Sequence, residues 1–264
     1  GHDEIRPLRH EPLQARCETA ADGRLTFVRE LQARMDPTAA PDWPGLQLAI
    51  YCKPGVDSSG DVYDLMQLPN GLAAILVAHL SGEPMRCAIA MAEVRAAFRM
   101  AGLHADAPHM YLRSVNWLLH ADRAPCRMQT AALVLNPESG EMQFATAGDI
   151  GAVVVDANGG TRQLAHPNDP PLGQVPNHAY ESRFDQLQTG ESLTIYTAGC
   201  CTITNETGQP LGRDRFVESI RDGCRQAASV VLGDLIQEHA AFFKRGRPPD
   251  DTTILVFHRP VEPG

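Results

Sequence analysis

The sequence lacks several features that would indicate a membrane or nucleic-acid protein. No uninterrupted apolar run approaches the ~18 residues of a membrane-spanning helix, and roughly the first thirty residues contain no apolar segment of the signal-peptide type. The densest basic stretch is only Lys244, Arg245 and Arg247, while the formal net charge is -9. Because nucleic-acid backbones attract a clustered basic face, we expect neither a nucleic acid nor a membrane among the partners.

Cysteine usage excludes two further classes. The seven cysteines are an odd number, no CxxC spacing occurs, and the only adjacent pair is Cys200-Cys201. This pattern predicts neither a structural zinc site nor a disulfide framework, and we interpret the adjacent pair as small, partly buried hydrophobic residues. The expected location is the reducing environment of the cytoplasm.

The remaining composition is that of a globular protein, with 43% hydrophobic and 21% charged residues. Leu25, Val28, Leu31 and Met35 recur at helical spacing and predict an amphipathic helix that Pro37 ends. We therefore divide the chain into an N-terminal tether and linker helix, 1–36, and one domain, 37–264. The apolar stripe of the helix either packs on this domain or connects it to an upstream sensor or receiver domain.

The domain alternates strand-like apolar segments, bounded by turn signals, with pairs of helices. This grouping favours an α+β fold in which helices cover antiparallel sheets. Predicted strands are 46–52, 72–78, 131–135, 142–146, 152–155, 192–196 and 254–258, and predicted helices are 84–100, 108–120, 214–224 and 227–243. Trp43 and Trp117 are predicted to lie in the core.

Short polar loops next to the strands carry the candidate site, because acidic side chains at strand ends can converge on hard cations. In chain order the loops and other short motifs are Arg29–Pro37, Gly60-Asp61 with Tyr63-Asp64, Leu72–Gly82, Thr146–Gly148, Pro171–Gly173, Thr189–Glu191 and Asp250–Thr253. In order and spacing these seven motifs resemble those of PPM-type serine/threonine phosphatases of the SpoIIE/RsbU branch. The resemblance covers roughly residues 24 to 258.

This resemblance implies a PP2C-like four-layer α-β-β-α sandwich with two antiparallel sheets, preceded by a short linker helix. In the family, acids at one edge hold two Mg²⁺ or Mn²⁺ ions, and a metal-bound water attacks a phosphoserine or phosphothreonine. The family acids correspond to Asp61, His79, Ala198 and Asp251, so two of the four are replaced. The neighbouring motif residues are Gly60, Asp64, Leu80, Gly82, Gly199 and Asp250.

The two replacements predict an impaired site. A neutral imidazole at His79 gives one lone pair to one metal and suits zinc better than Mg²⁺, and Ala198 gives no ligand. We expect no cofactor and favour His79 as a hydrogen-bonded core histidine. Zinc held by Asp61, His79 and Asp251 is the less favoured alternative, and Mg²⁺ or Mn²⁺ would be required only by an active enzyme.

The resemblance therefore predicts a pseudophosphatase, a PPM scaffold that acts in signal transduction by binding a regulatory protein. Degenerate SpoIIE-like domains behind a response-regulator receiver occur in RssB-type adaptors, which deliver the stationary-phase sigma factor to the ClpXP protease, and this chain is similar to such an effector domain. The alternative is a weakly active phosphoserine/phosphothreonine phosphatase acting on an anti-sigma-factor antagonist. A dimerisation module is a third hypothesis.

Overall fold

The structure is a computed structural model that describes residues 41–55, 60–102, 107–121, 126–165, 168–244 and 248–261. The predicted linker helix with Leu25, Val28, Leu31 and Met35 lies outside these residues, as does the proposed boundary between 36 and 37. Among the described residues, no helix combines the length and the apolar character needed to cross a membrane.

Within the described residues, ten strands form two five-stranded sheets in which every neighbouring pair is antiparallel. The first sheet has the order β1 (Gln47–Lys53), β10 (Thr252–His258), β9 (Ser192–Tyr196), β6 (Gly151–Val155) and β7 (Thr161–Gln163). The second has the order β2 (Asp61–Gln67), β3 (Ala73–Ser81), β4 (Arg127–Leu135), β5 (Glu141–Ala147) and β8 (Arg183–Gln186). Both the first and the last strand of the described chain therefore belong to the first sheet.

Helices cover the outer faces of both sheets. The helices are α1 (Pro84–Gly102), α2 (Pro108–Ala121), the short α3 (Gly199–Thr202), α4 (Arg213–Asp222) and α5 (Ala228–Phe243). The pair α1 and α2 packs on the second sheet, while α4 and α5 pack on the first.

Strand alternation generates three apolar cores. On β3, Ile75 and Val77 point into the core between the sheets, and Leu76 and Ala78 point into the core beneath α1 and α2. This is the period-two alternation of a strand that is buried on both faces. A third core lies between the first sheet and the helices α4 and α5. Three cores separate four layers, so the predicted α-β-β-α sandwich is confirmed.

Several local predictions were wrong. Residues 61–64 were interpreted as part of a loop but begin β2, and the short strands β7 and β8 and the helix α3 were not predicted. Trp43 is buried as predicted, but Trp117 is 69% exposed. The reason is helical geometry: α2 buries the face with Leu112 and Val115, and Trp117 lies two positions beyond Val115 on the opposite face.

Candidate functional site

The four family positions lie at one edge of the two sheets. Asp61 begins β2 and is paired in register with His79 on β3. Asp251 immediately precedes β10 in the other sheet, and Ala198 immediately precedes α3. Residues separated by up to 190 positions in the chain therefore meet where the sheets face each other.

Asp61 is fully buried and accepts hydrogen bonds at both carboxylate oxygens. Its Oδ1 lies 2.7 Å from Nδ1 of His79. Its Oδ2 accepts from the hydroxyl of Thr197 at 2.8 Å and from the hydroxyl of Thr253 at 2.6 Å. These two hydroxyls belong to the first sheet's edge, so Asp61 joins the two sheets through neutral donors.

Asp251 is 1% exposed and binds backbone amides of the chain that links the two sheets. Its Oδ1 accepts from the amide of Gly55 at 2.7 Å. Its Oδ2 accepts from the amides of Gly60 and Asp61, at 2.5 Å and 2.9 Å. A carboxylate that accepts several backbone N–H bonds fixes the local main chain, and Asp251 thus holds both ends of the connection between β1 and β2.

Burial and charge shift the protonation of the paired groups. Burial raises the pKa of Asp61, against the hydrogen bond and the positive charge of His79, which lower it. Burial alone would lower the pKa of His79, but the hydrogen bond to Asp61 and the negative charges of Asp61 and Asp251 outweigh it, and the pKa is raised. The pair therefore retains its protons to higher pH than the same two groups in water.

Two motif glycines allow the close main-chain approach on which the site depends. A Cβ on Gly60 would lie 1.9 Å from the carbonyl oxygen of Leu80, and a Cβ on Gly199 would lie 1.9 Å from the carbonyl oxygen of Asp251. Neither oxygen can move away freely, because both belong to the main chain. The motif glycines at 60 and 199 are thus required by packing alone, whatever the chemistry of the site.

The remaining motif residues are dispersed around the site. Asp64 is buried on the opposite face of β2, where it pairs with arginines of α1, so it is not a neighbour of the carboxylates at 61 and 251. Leu80 is 2% exposed in the core beneath α1 and α2, and Gly82, with φ +151°, lies beyond the end of β3. Asp250 accepts a 3.2 Å hydrogen bond from the hydroxyl of Thr202 at the rim.

A metal-binding role can be tested against these contacts. One ligand atom each from Asp61, His79 and Asp251 lies within 4.8 Å of the others. Each carboxylate, however, already has three protein contacts at 2.9 Å or less. Ala198 contributes only its backbone carbonyl, which accepts from amides of α3. Two hard dications, which need many oxygen ligands and a shared carboxylate, do not fit this donor set.

Thr197, Thr253 and Gly55 were not predicted as site residues. Thr253 lies in the recognised motif Asp250–Thr253, and Thr197 directly precedes the family position 198, so hydroxyls near the family positions were a usable signal. Gly55 gave no such signal, because its amide contacts a residue 196 positions away in the chain.

Known proteins resemble the chain over most of its length. The curated protein IcfG of Synechocystis sp. is 20% identical in an alignment of 259 residues, and the match covers 88% of this chain and 40% of that protein. The solved SiaA PP2C domain of Pseudomonas aeruginosa has a TM-score of 0.75 and 19% identity, and the match covers 93% of this chain and 99% of that chain. The solved RsbU and RsbW domains of Rv1364c from Mycobacterium tuberculosis have a TM-score of 0.69 and 21% identity, and the match covers 88% of this chain and 64% of that chain.

These structures share the two antiparallel sheets and their covering helices, so the PP2C-like fold is established by both topology and similarity. The chain spans well under half the length of the curated relative that it matches. The model of the family described as Stage II sporulation protein E (SpoIIE) matches residues 69–260. Since this match includes β3 through β10 and all five helices, the chain belongs to the SpoIIE family of PP2C-fold phosphatase domains.

Proposed function

We propose that this chain is a catalytically impaired effector domain that uses the SpoIIE-type phosphatase fold to bind a regulatory protein. The observation that carries the proposal is the engagement of Asp61 and Asp251 by six donors from the protein itself. Carboxylates that ligate metal in this family hold the main chain and the sheet edges together here. The absent donor at Ala198 agrees with that role.

The residues of the site act as a support between the two sheets. Asp251 holds the backbone at Gly55 and Gly60, and Asp61 is held by Thr197 and Thr253 from the opposite sheet. A bound pair of Mg²⁺ or Mn²⁺ ions would supply activated water in an active relative, but it would compete with these contacts. The arrangement therefore favours a structural role for these carboxylates at the edge of the sheets over catalysis of phosphate hydrolysis.

The proposed partner is a protein of sigma-factor control, and the RssB-like adaptor role, delivering the stationary-phase sigma factor to proteolysis in the cytoplasm, is the specific form we favour. An exposed aromatic side chain supports a binding role. Trp117 lies beside Met110, Arg113 and His120 of α2, along a groove of about 560 Å³ that Pro176 helps to line. Exposed Trp next to Arg is the composition of protein-interface anchors.

We also propose an upstream receiver or sensor domain, joined through the 24–36 segment. The curated relative IcfG is more than twice as long as the matched region, which leaves room for further domains in proteins of this kind. A signal received upstream would reach the partner surface only if the linker has two docking positions of different affinity for the effector domain.

Catalytic impairment is tested by measuring the rate at which the chain hydrolyses p-nitrophenyl phosphate and a phosphoserine protein in the presence of Mn²⁺, Mg²⁺ or Zn²⁺. We expect the wild-type chain to show no metal-dependent rate above background. The matched comparison is the double variant His79→Asp, Ala198→Asp, which restores the two family acids and should bind Mn²⁺ measurably in calorimetry. Metal-dependent turnover by the wild-type chain would remove the proposal.

A second candidate is a weakly active phosphoserine/phosphothreonine phosphatase that acts on an anti-sigma-factor antagonist. It is favoured by the approach of ligand atoms from Asp61, His79 and Asp251 within 4.8 Å, which leaves a single-ion site geometrically open. Under this candidate, Zn²⁺ would support hydrolysis and His79→Ala would abolish it. Under the first proposal, both proteins give the same background rate.

Partner binding is tested separately. Trp117→Ser should weaken binding to a sigma factor or an antagonist protein at least tenfold, because the variant removes an exposed aromatic anchor. The matched control is Phe184→Ser on β8, which removes an aromatic side chain that is 78% exposed and lies on a different surface. Equal binding by the two variants and the wild type would exclude the α2 surface as the partner site.

A further inference from the structure

Two cysteines that are distant in sequence lie side by side in the core between the second sheet and its helices. Cys87 lies in the first turn of α1, and Cys126 immediately precedes β4. Their Sγ atoms are 3.0 Å apart, although the residues are separated by 39 positions. The side chains are 3% and 1% exposed, so the surrounding core holds the two sulfurs in place.

This distance is shorter than an ordinary nonbonded contact between two sulfurs. A disulfide has an S–S length of about 2.05 Å, so the sulfurs need to approach by only ~1 Å. The strand register explains the meeting: Ser81 pairs with Arg127, and α1 begins three residues after Ser81. The residue before β4 and the first turn of α1 are therefore placed together by the sheet itself.

We propose that Cys87 and Cys126 are a disulfide-forming pair that a two-electron oxidant such as hydrogen peroxide converts to a cystine. The inference is independent of the proposed function, and it goes against the expectation drawn from cysteine spacing alone. Spacing along the chain identifies neither partner, because neither cysteine belongs to a local motif.

The chemistry balances with one peroxide molecule. The thiolate of Cys126 attacks one peroxide oxygen, the O–O bond breaks, and water leaves once the departing oxygen is protonated, which gives a sulfenic acid. The sulfur of Cys87 then attacks the Cys126 sulfur, the S–O bond breaks, and a second water forms with the proton from Cys87. The two thiols lose two electrons and two protons, and the peroxide becomes two waters.

The contact between the two thiols couples their protonation. The hydrogen bond between them lowers the pKa of Cys126, against the effect of burial, which raises it. The same contact, together with burial, raises the pKa of Cys87. Cys126 is accordingly assigned the attack and Cys87 the resolving role, and because either sulfur can donate in this contact, the same crosslink forms with the two roles exchanged.

The bond would close a loop that contains nearly all of α1 and the whole of α2. Closure of a loop of this length restricts the unfolded chain more than the folded one, so oxidation should raise the melting temperature. We expect a rise of roughly 5–10 °C for a domain of this size.

The test uses the full chain, oxidised with hydrogen peroxide or reduced with dithiothreitol, followed by alkylation and tryptic peptide mapping. Cleavage after arginine places the two cysteines in the peptides Cys87–Arg95 and Ala124–Arg127. We expect these peptides to be crosslinked after oxidation, with an intact mass lower by two hydrogen atoms, and to separate again on reduction. The melting temperature should rise and fall in parallel.

Cys87→Ser should lose both the crosslink and the rise in melting temperature, whereas the control Cys224→Ser should retain both. The peptide map of the wild-type chain decides the matter even where a variant folds poorly. Alkylation of both Cys87 and Cys126 after oxidation, a crosslink to any other cysteine, or conversion of Cys126 to a sulfinic acid would overturn the proposal.

Discussion

Asp61 and Asp64 lie three residues apart on the same strand and are both completely buried, yet their surroundings differ. Three positions along a strand reverse the side of the sheet, so Asp61 points toward the other sheet and Asp64 points toward α1. Asp64 has two cationic partners. Arg95 reaches Oδ2 at 3.0 Å, and Arg99 contacts both oxygens, at 2.7 Å and 3.1 Å.

Asp61, by contrast, is contacted by two hydroxyls and by the imidazole of His79. Burial accordingly dominates at Asp61 and raises its pKa. One strand thus keeps two buried acids for different reasons. Asp64 belongs to a charge-compensated support of the helical layer, whereas Asp61 is held by two hydroxyls of the other sheet and by His79.

The largest effect is expected where charge compensation is removed. Arg95→Met combined with Arg99→Met leaves the Asp64 carboxylate buried without a cation and should lower the free energy of unfolding in urea by about 3–5 kcal/mol. Adding Asp64→Leu to this pair should restore most of the loss, because no buried charge remains. A double arginine variant as stable as the wild type would show that Asp64 needs no cationic partner.

A smaller loss of unfolding free energy is expected when a single hydroxyl donor to Asp61 is removed. Thr253→Val keeps the side-chain shape but removes the 2.6 Å hydrogen bond to Oδ2, and it should cost about 1.5–3 kcal/mol. Thr194→Val is the matched control, because within the described part of the chain the buried hydroxyl of Thr194 has no hydrogen-bond partner. Equal losses for the two variants would contradict the support role of Thr253.

The smallest effect concerns pH. The pKa of His79 is raised above 6.5 in the folded protein, so protonated His79 stabilises the fold fully below pH 6.5, and this contribution is lost as the pH rises through the folded pKa. The difference in unfolding free energy between the wild type and His79→Gln should therefore be largest in mild acid and shrink as the pH rises further. A difference that grows with pH would refute the contact with Asp61 as its source.

The sequence predicted long apolar elements well and polar strands poorly. All seven predicted strands and four helices exist, with ends displaced by a few residues, because their apolar periodicity is strong. The strand β2 was missed since Asp61 and Asp64 interrupt its apolar pattern. Such acids are tolerated in a buried strand only through partners from α1 and from the opposite sheet, which no local pattern reveals.

The proximity of the candidate site residues could be predicted, but their hydrogen bonds could not. The motif comparison identified positions 61, 79, 198 and 251, and the structure brings them to one edge. That Asp251 holds backbone amides could not be inferred, because main-chain donors carry no residue-type signal. The exposure of Trp117 was likewise missed, since composition alone assigns a large aromatic residue to the core.

The hydrogen bonds from the Gly55 and Gly60 amides to Asp251 affect how relatives with an incomplete metal site can be recognised. Because these hydrogen bonds stabilise the fold, an aspartate at this position is favoured even in a protein that binds no metal ion. Its presence in a newly sequenced relative is therefore weak evidence of enzyme activity. Evidence of enzyme activity comes instead from positions such as 198, where the fold requires no acidic side chain.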